Sequence, residues 1–337
     1  MRKIIIVFIS LLLLSCQSSG AKVDHSGFYL EKSETFSIPD ACKHFYSADH
    51  IPRVGIVEFL NNIQDRAIIP EGWMSWWGDV SVKLTESVAD GVTGEVVNIG
   101  GVRIYTRTDL QKVMQEQKFQ MSGLADSSTL VSLGKLAGLQ YIITGSINNI
   151  TVYTGAMTGL LLGAAPQVEV ELAVRMIDVT TGEIIISTVL KGKHVVEAPN
   201  AVGVNSAIKN AASKAIIDLR PEFSKRFAVG GYIMQTKISQ SGAGKLALIS
   251  AGYKHRLAGG AKLLMYYCSE QKDFVTSKVS CLKSKIQVEA VVTDEIYDDK
   301  AWVHISGNNN ELQKIVAGTI FERVPMEGQN IIQRFGF

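Results

Sequence analysis

From Arg53 onward the apolar positions recur with regular periods. RVGIVEF alternates as a strand, with Val54 and Ile56 on one side. NNIQDRAIIPEGWMSWWG breaks that period and reads as a loop carrying Trp73, Trp76 and Trp77. Helical spacing returns over Asp79 to Val92 through Val80, Leu84, Ser87 and Val88, and Gly91 and Gly94 predict the helix end. A strand is expected at Val102 to Thr106. Thr108-Asp109 then opens a helix with Leu110, Val113 and Met114 on one stripe. Asp126 is placed to cap a further helix, where Leu130, Leu133 and Ala137 share a face and Gly138 stops it. YIITGSI is strongly β-branched and reads as a strand. VEVELAVRMIDV and TGEIIISTVL pair across a Thr-Thr-Gly turn. Asn205 to Leu219 is a helix with Ala207, Ile208, Ala211, Ala215 and Leu219 inward, followed by Pro221.

After Gly230-Gly231 the helical period disappears. KLALIS, KLLMYYC, KIQVEAVVTDEI, KAWVHIS and GTIFERV are short strands separated by Gly, Asn and Asp. The fold class is therefore α/β, a mixed sheet flanked by helices, followed by a small all-β SH3-like barrel. The domain limits read as 1–15 signal peptide, 16–48 tether, 49–235 α/β domain, 240–325 barrel and 326–337 tail. Hydrophobic content of 46% and charged content of 20% describe a globular chain and exclude a disordered one.

The first residues add a location. Arg2-Lys3 precedes an apolar run, Ile4 to Leu14, too short to span a bilayer. Leu13-Leu14-Ser15-Cys16 resembles a bacterial lipobox, in which the cysteine is acylated because its thiol forms the thioether to diacylglycerol; the alternative is a plain signal peptide or a signal anchor that happens to contain Cys16. Gln17, not Asp, follows, which in bacterial lipoproteins resembles an outer-membrane address. Several acyl chains hold a protein stably on a membrane. Removing Arg2 and Lys3 leaves 32 Lys and Arg against 32 Asp and Glu, and no basic run remains to favour nucleic acid.

With Cys16 given to lipid, Cys42, Cys268 and Cys281 remain, in a compartment where disulfides persist. Cys268 and Cys281 flank twelve residues, SEQKDFVTSKVS, between two strand-like runs. A bridge between them is expected, with two buried thiols as the alternative. Cys42 is then free or an intermolecular partner.

Candidate chemistry is sparse. Ser241-Gly242-Ala243-Gly244-Lys245 lacks a glycine at Ser239, and Leu246 stands where a phosphate loop needs Ser or Thr, so it reads as a turn before a strand. His25, His44, His50, His194, His255 and His304 occur singly, with no metal-ligand spacing. No enzyme, metal, cofactor or small-molecule substrate is expected. Trp73, Trp76 and Trp77 are either a partner-binding patch or a loop capping the core. Leu160, Leu161 and Leu162 lie in an apolar loop for a partner or membrane surface, or fold over the core.

YTRTDLQKVMQEQKFQMSGL, LGKLAGLQYIITGSI and VRMIDVTTGEII resemble, in order, the periplasmic core of the curli production and transport (CsgG-type) family. Arg107, Glu116-Gln117, Gly134, Gly138, Gly145-Ser146 and Thr181-Gly182-Glu183 hold that family's characteristic places, and Thr106 replaces its usual acidic residue. The resemblance covers about residues 53–220. It implies homo-oligomerisation through the α/β core and work with other envelope assembly proteins, in secretion or assembly of a surface structure. The terminal β domain is similar to the SH3-like module of flagellar assembly proteins (FlgT-type), at the Ala251-Gly252 turn, the Leu257-to-Gly260 turn and Ala301.

The family's secretion channel takes two spanning hairpins from each subunit, each with strands of about 9–11 residues. Ile147 to Gln167 is long enough, but neither alternate set of residues is apolar, Tyr153 is its one aromatic residue, and Pro166 interrupts it. Residues 191–203 are too short for the second hairpin and carry Lys191, Lys193, His194 and Glu197. The expectation is a periplasm-facing outer-membrane lipoprotein, with a flagellar or envelope ring scaffold and a true channel as alternatives.

Overall fold

The computed structural model describes residues 22–31, 38–46, 51–63, 77–116, 127–153, 166–198 and 200–328. Along them run β1 (Phe28–Leu30), β2 (Arg53–Asn61), α1 (Trp77–Ile99), β3 (Arg103–Tyr105), α2 (Arg107–Glu116), α3 (Ser127–Leu136), β4 (Tyr141–Tyr153), β5 (Gln167–Asp178) and β6 (Ile184–Val195). Then follow α4 (Ala201–Ile217), α5 (Arg220–Arg226), β7 (Gly230–Ser239), β8 (Gly244–Ile249), β9 (Lys262–Lys272), β10 (Val279–Ile296), β11 (Ala301–Ser306), α6 (Asn309–Gln313) and β12 (Ile320–Arg323).

The α/β alternation builds a five-stranded mixed sheet ordered β3-β2-β4-β5-β6. β2 pairs in parallel with β3 and β4, whereas β4–β5 and β5–β6 are antiparallel. Alternation along β5 sends Val168, Val170, Leu172, Val174 and Met176 to one face, where they are buried beneath α1 and α4. The largest fully buried side chains there include Phe59 and Phe223. Each such burial contributes about 1.5–3 kcal/mol. Among the described residues, the opposite face is covered at one end, where Leu110 of α2 and Leu130 and Leu133 of α3 pack on Ile142 and Ile177.

The helix predicted to stop at Gly91 or Gly94 runs on to Ile99. Gly91 is small where α1 meets α4; a Cβ there would lie 2.8 Å from Ile216 Cδ1. The stop comes at Gly100 and Gly101, with φ of 76° and 70°. Pro221 also does not end the helical region. It sits in the first turn of α5, where its missing N–H costs nothing.

The second unit is a closed six-stranded antiparallel barrel, ordered β7-β12-β9-β10-β11-β8 and shut by pairing of β8 with β7. Register shifts in β10 between Ile286 and Ala290, and again before Ile296, bend this long strand around the barrel. Ile233, Ile249, Met265, Val292, Ile305 and Phe321 are among its buried core. The barrel begins at Gly230 and not near residue 240, because β7 supplies both closing edges. Its residues 230–232 pair with β12 and its residues 233–238 pair with β8.

The segment expected to be a tether is also built into this unit. β1 pairs with β7 from Phe28↔Ser239 to Leu30↔Lys237, and Asp40–Tyr46 forms a 3-10 helix against β9 and β10. The two units meet where α1 ends: Arg323 of β12 donates from Nη1 to the Ile99 carbonyl at 3.5 Å. A cation at a helix C-terminus is favourable there.

Candidate interaction surface

Beyond the end covered by α2 and α3, this face of the sheet carries polar residues. Its residues follow from strand register. Thr151 lies opposite Glu169, which lies opposite Lys193; Asn149 lies opposite Glu171, which lies opposite Lys191. Lys191 reaches Glu171 at 3.0 Å and Lys193 reaches Glu169 at 2.9 Å. The hydrogen bond and charge of Glu171 raise the Lys191 pKa. Lys193 also lies 5.5 Å from the centre of the Tyr153 ring. Asn149 Oδ1 is buried without a hydrogen-bond partner. Nearer α3, Thr144, Ser146, Ala173, Arg175 and Leu60 line a cleft of about 120 Å³. The polar ladder suits water, and lipid would strip it of hydration.

A larger cleft of about 270 Å³ lies at the start of α4, lined by His194, Glu197, Asn200 and Ser206 among others. Asn200 caps α4, its side chain accepting from the Gly203 amide at 2.9 Å. Burial lowers the His194 pKa, Lys214 adds to the effect, and Glu197 opposes it.

The N-terminal strap makes a second cluster on the barrel. The Glu31 amide donates to the Thr236 carbonyl at 3.1 Å, and Thr236 Oγ1 donates to the Glu31 carboxylate at 2.9 Å. Lys245, 2% exposed, completes this contact with Glu31. The lysine of the rejected phosphate-loop pattern is thus an ion-pair partner. Gly242 turns the chain before it with a φ of 70°. His25 Nε2 lies 3.0 Å from Glu295, and its ring meets Trp302 edge-on.

Cysteine pairing differs from expectation. The bridge joins Cys42 to Cys281, and Cys268 is a buried free thiol. The polar stretch SEQKDFVTSKVS is no loop: β9 and β10 continue through it to a turn held by Asp273, which accepts from the Val275 and Thr276 amides. That register sets Cys281 opposite Glu270, and Cys268 opposite Lys283. The 3-10 helix then brings Cys42 over Cys281. Among the described residues, these three sulfurs are the one group of candidate metal ligands close enough to share an ion, and two of them are in the disulfide.

Cys16, Trp73, Trp76, Leu160, Leu161 and Leu162 lie outside the described residues. Trp77 begins α1, and its side chain also lies outside them. Of the family-like positions, Gly138 has a φ of 63° at the end of α3, and Gly182 a φ of 77° in the β5–β6 turn. Thr106, where the acidic residue was expected, caps α2. Its amide and hydroxyl donate to Asp109 Oδ2 at 3.0 and 2.8 Å.

No curated protein sequence matches the chain. The structure is similar to the C-terminal domain of LpoB from Salmonella enterica, at 14% identity and a TM-score of 0.28, over 42% of this chain and 81% of that one. It is similar to the lipoprotein GNA1162 from Neisseria meningitidis, at 11% identity and a TM-score of 0.28, over 46% and 90%. For the PelC dodecamer from Paraburkholderia phytofirmans the identity is 13% and the TM-score 0.27, over 49% and 86%. These scores are low, and the assignment rests on the family match. Matched over residues 47–217, about half of its length, the chain belongs to the curli production assembly/transport component (CsgG) family.

Proposed function

We propose that the protein is an outer-membrane lipoprotein that faces the periplasm, forms a homo-oligomer through its α/β unit and serves export or assembly of a cell-surface structure without catalysing a reaction. The observation that carries this reading is a CsgG-family core downstream of Leu13-Leu14-Ser15-Cys16. β6 supports the oligomer. It pairs with β5 alone among the described residues, and it exposes Ile184 and Val189 along that edge. An edge of this kind is a template for another chain. Against a two-hairpin channel stands the connection from β6 to α4. It is residues 196–200, too short for a hairpin whose strands need about 9–11 residues each.

Electron microscopy of the detergent-extracted full chain tests the reading. Rings without a strand barrel in the detergent belt are the expected result. Single-subunit particles, or four strands per subunit inside the belt, overturn it. Fractionation of Cys16→Ala tests the anchor separately: the variant is expected to leave the membrane fraction, and its retention there overturns lipidation.

A further inference from the structure

Three sulfurs meet on the outer face of the barrel. Met265 and Phe321 point into the barrel core, so their neighbours Tyr266 and Ile320 lie on the outside. The 3-10 helix Asp40–Tyr46 covers that outer face. It contributes Cys42, which packs with Cys268, Ile320, Tyr266 and Cys281 in a small cluster separate from the core. The Ala41 amide donates to Glu270 Oε1 at 2.9 Å and fixes the helix along β9.

The register explains the third sulfur. Cys268 is paired with Lys283, and Cys281 lies two residues before Lys283 on β10. Side chains two apart in a strand share a face, so Cys268 and Cys281 are diagonal neighbours. All three Sγ atoms lie within 4.8 Å of one another. A free thiol therefore stands beside a disulfide that ties the N-terminal strap to the barrel across 239 residues of sequence.

We propose that Cys42, Cys268 and Cys281 form a thiol–disulfide exchange latch, in which Cys268 displaces Cys42 from Cys281 and releases the strap helix from the barrel. Cys268 first gives its proton to base. Its thiolate attacks Cys281 Sγ, the Cys268–Cys281 bond forms, and the Cys42–Cys281 bond breaks. The electron pair leaves with Cys42, whose thiolate takes up a proton. One disulfide and one thiol are present before and after, so no oxidant or reductant is consumed. The new bridge lies within one hairpin and no longer holds the strap. Residues 40–46 are then kept in place by noncovalent contacts such as Ala41–Glu270, and the Tyr266, Cys268 and Ile320 patch beneath them can be uncovered.

Burial also sets the speed. It raises the Cys268 thiol above the ordinary value; neighbouring Lys283 pulls it down and Glu322 pushes it up. The latch is therefore slow near neutrality and accelerates with pH, about tenfold per unit below the thiol pKa.

The test follows the free thiol in the full chain. The oxidised protein is held between about pH 7 and about pH 9 without added thiol, quenched in acid, alkylated and mapped by mass spectrometry. The expected result is label on Cys268 at the start, then growing label on Cys42 together with a Cys268–Cys281 cross-linked peptide. Cys268→Ser is expected to keep Cys42–Cys281 and take no label. Label that stays on Cys268 at every pH overturns the proposal. So does label that moves to Cys281 alone, because a Cys42–Cys268 bridge keeps the strap tied. Cys42→Ser supplies an independent check: Cys268 and Cys281 are expected to oxidise to one bridge with the native circular dichroism spectrum retained. A folded variant that keeps two free thiols under oxidant overturns the latch.

Discussion

Lys245 Nζ donates to both carboxylate oxygens of Glu31, at 2.9 and 2.8 Å, and to the Ile315 carbonyl at 2.8 Å. The three ammonium hydrogens thus have three acceptors, and Glu31 comes from the strap that the sequence pattern reads as free chain. The two ends of the pair are unequal, since the Lys245 side chain is 2% exposed and that of Glu31 27%. Glu31→Ala strands a buried cation and is expected to destabilise the barrel by about 3–5 kcal/mol. Lys245→Met leaves a carboxylate that water can reach at the rim, so its cost is expected to be smaller. Urea unfolding of the two variants checks the order; a larger loss for Lys245→Met would contradict this account.

Two glycines are expected to respond to alanine with opposite signs. Gly192 of β6 lies beneath α4, where a Cβ would stand 1.9 Å from the Ala211 carbonyl oxygen and 2.6 Å from the Ala215 nitrogen. Ala207, Ala211 and Ala215 make that helix face small, so backbone packs on backbone. Gly192→Ala must push the helix away and is expected to cost about 1–3 kcal/mol. Gly94 lies in the interior of α1 with nothing within 4 Å of its added Cβ. Gly94→Ala is expected to gain about 0.5–1 kcal/mol, by restricting the unfolded chain and favouring helix. Thermal unfolding of the two variants reads both signs.

Much of the α/β unit was legible because its signals are local. The stretch YIITGSI, the Thr-Thr-Gly turn and the alanine stripe of α4 each declare their structure within a few residues. α1 misled because a glycine that allows close helix packing looks like a glycine that ends a helix. In the barrel, β1 and β7 were missed for a different reason: β1 is short, and β7 divides its pairing among β12, β8 and β1. Leu30↔Lys237 is a pairing that no window along the chain contains.

Cysteine pairing failed for the same reason. Proximity in sequence favoured Cys268 with Cys281, but Cys42 arrives from the other end of the chain and takes Cys281 as its partner. One signal was present. Lys245 is a charged residue opening the apolar run LALI at a buried strand, and such a residue calls for an acidic partner somewhere. Which carboxylate answers it is a property of the closed barrel. The polar face of the sheet was more accessible to pattern reading, since Glu169 and Glu171 alternate with buried valines along β5.

Two histidines set an acid limit. His255 Nδ1 accepts from the Gly252 amide at 3.2 Å. Burial lowers its pKa; Asp299 opposes the shift and Lys254 adds to it. His194 is lowered mainly by burial as well. The unfolded chain therefore takes up protons at a pH where the folded chain still resists them. Their contribution is complete above about pH 6.5 and is lost as pH falls from there through the lowered folded values. His255→Gln and His194→Gln are each expected to flatten part of the fall in melting temperature between about pH 6.5 and pH 5. Unchanged slopes in both variants would show that the loss arises elsewhere.

Arg220 and Glu95 test how the α/β unit is clamped. Arg220 Nε donates to Glu95 Oε2 at 2.7 Å and Nη2 donates to Oε1 at 3.0 Å, a two-pronged contact joining the start of α5 to α1. The bond to Glu95 raises the arginine pKa, so Arg220 stays charged across the working range. Side-chain exposures of 27% and 15% place it between a screened surface pair and a buried one. Arg220→Lys keeps the charge but loses the planar fork, and is expected to cost about 1–2 kcal/mol. Arg220→Met removes the charge as well and should cost more, because Glu95 is left half-sheltered without a cation. A double-mutant cycle with Glu95→Gln separates the contact from general packing. Coupling of about 1–2 kcal/mol is expected, and coupling within experimental error of zero would mean that α5 is held by its other contacts, such as the packing of Phe223.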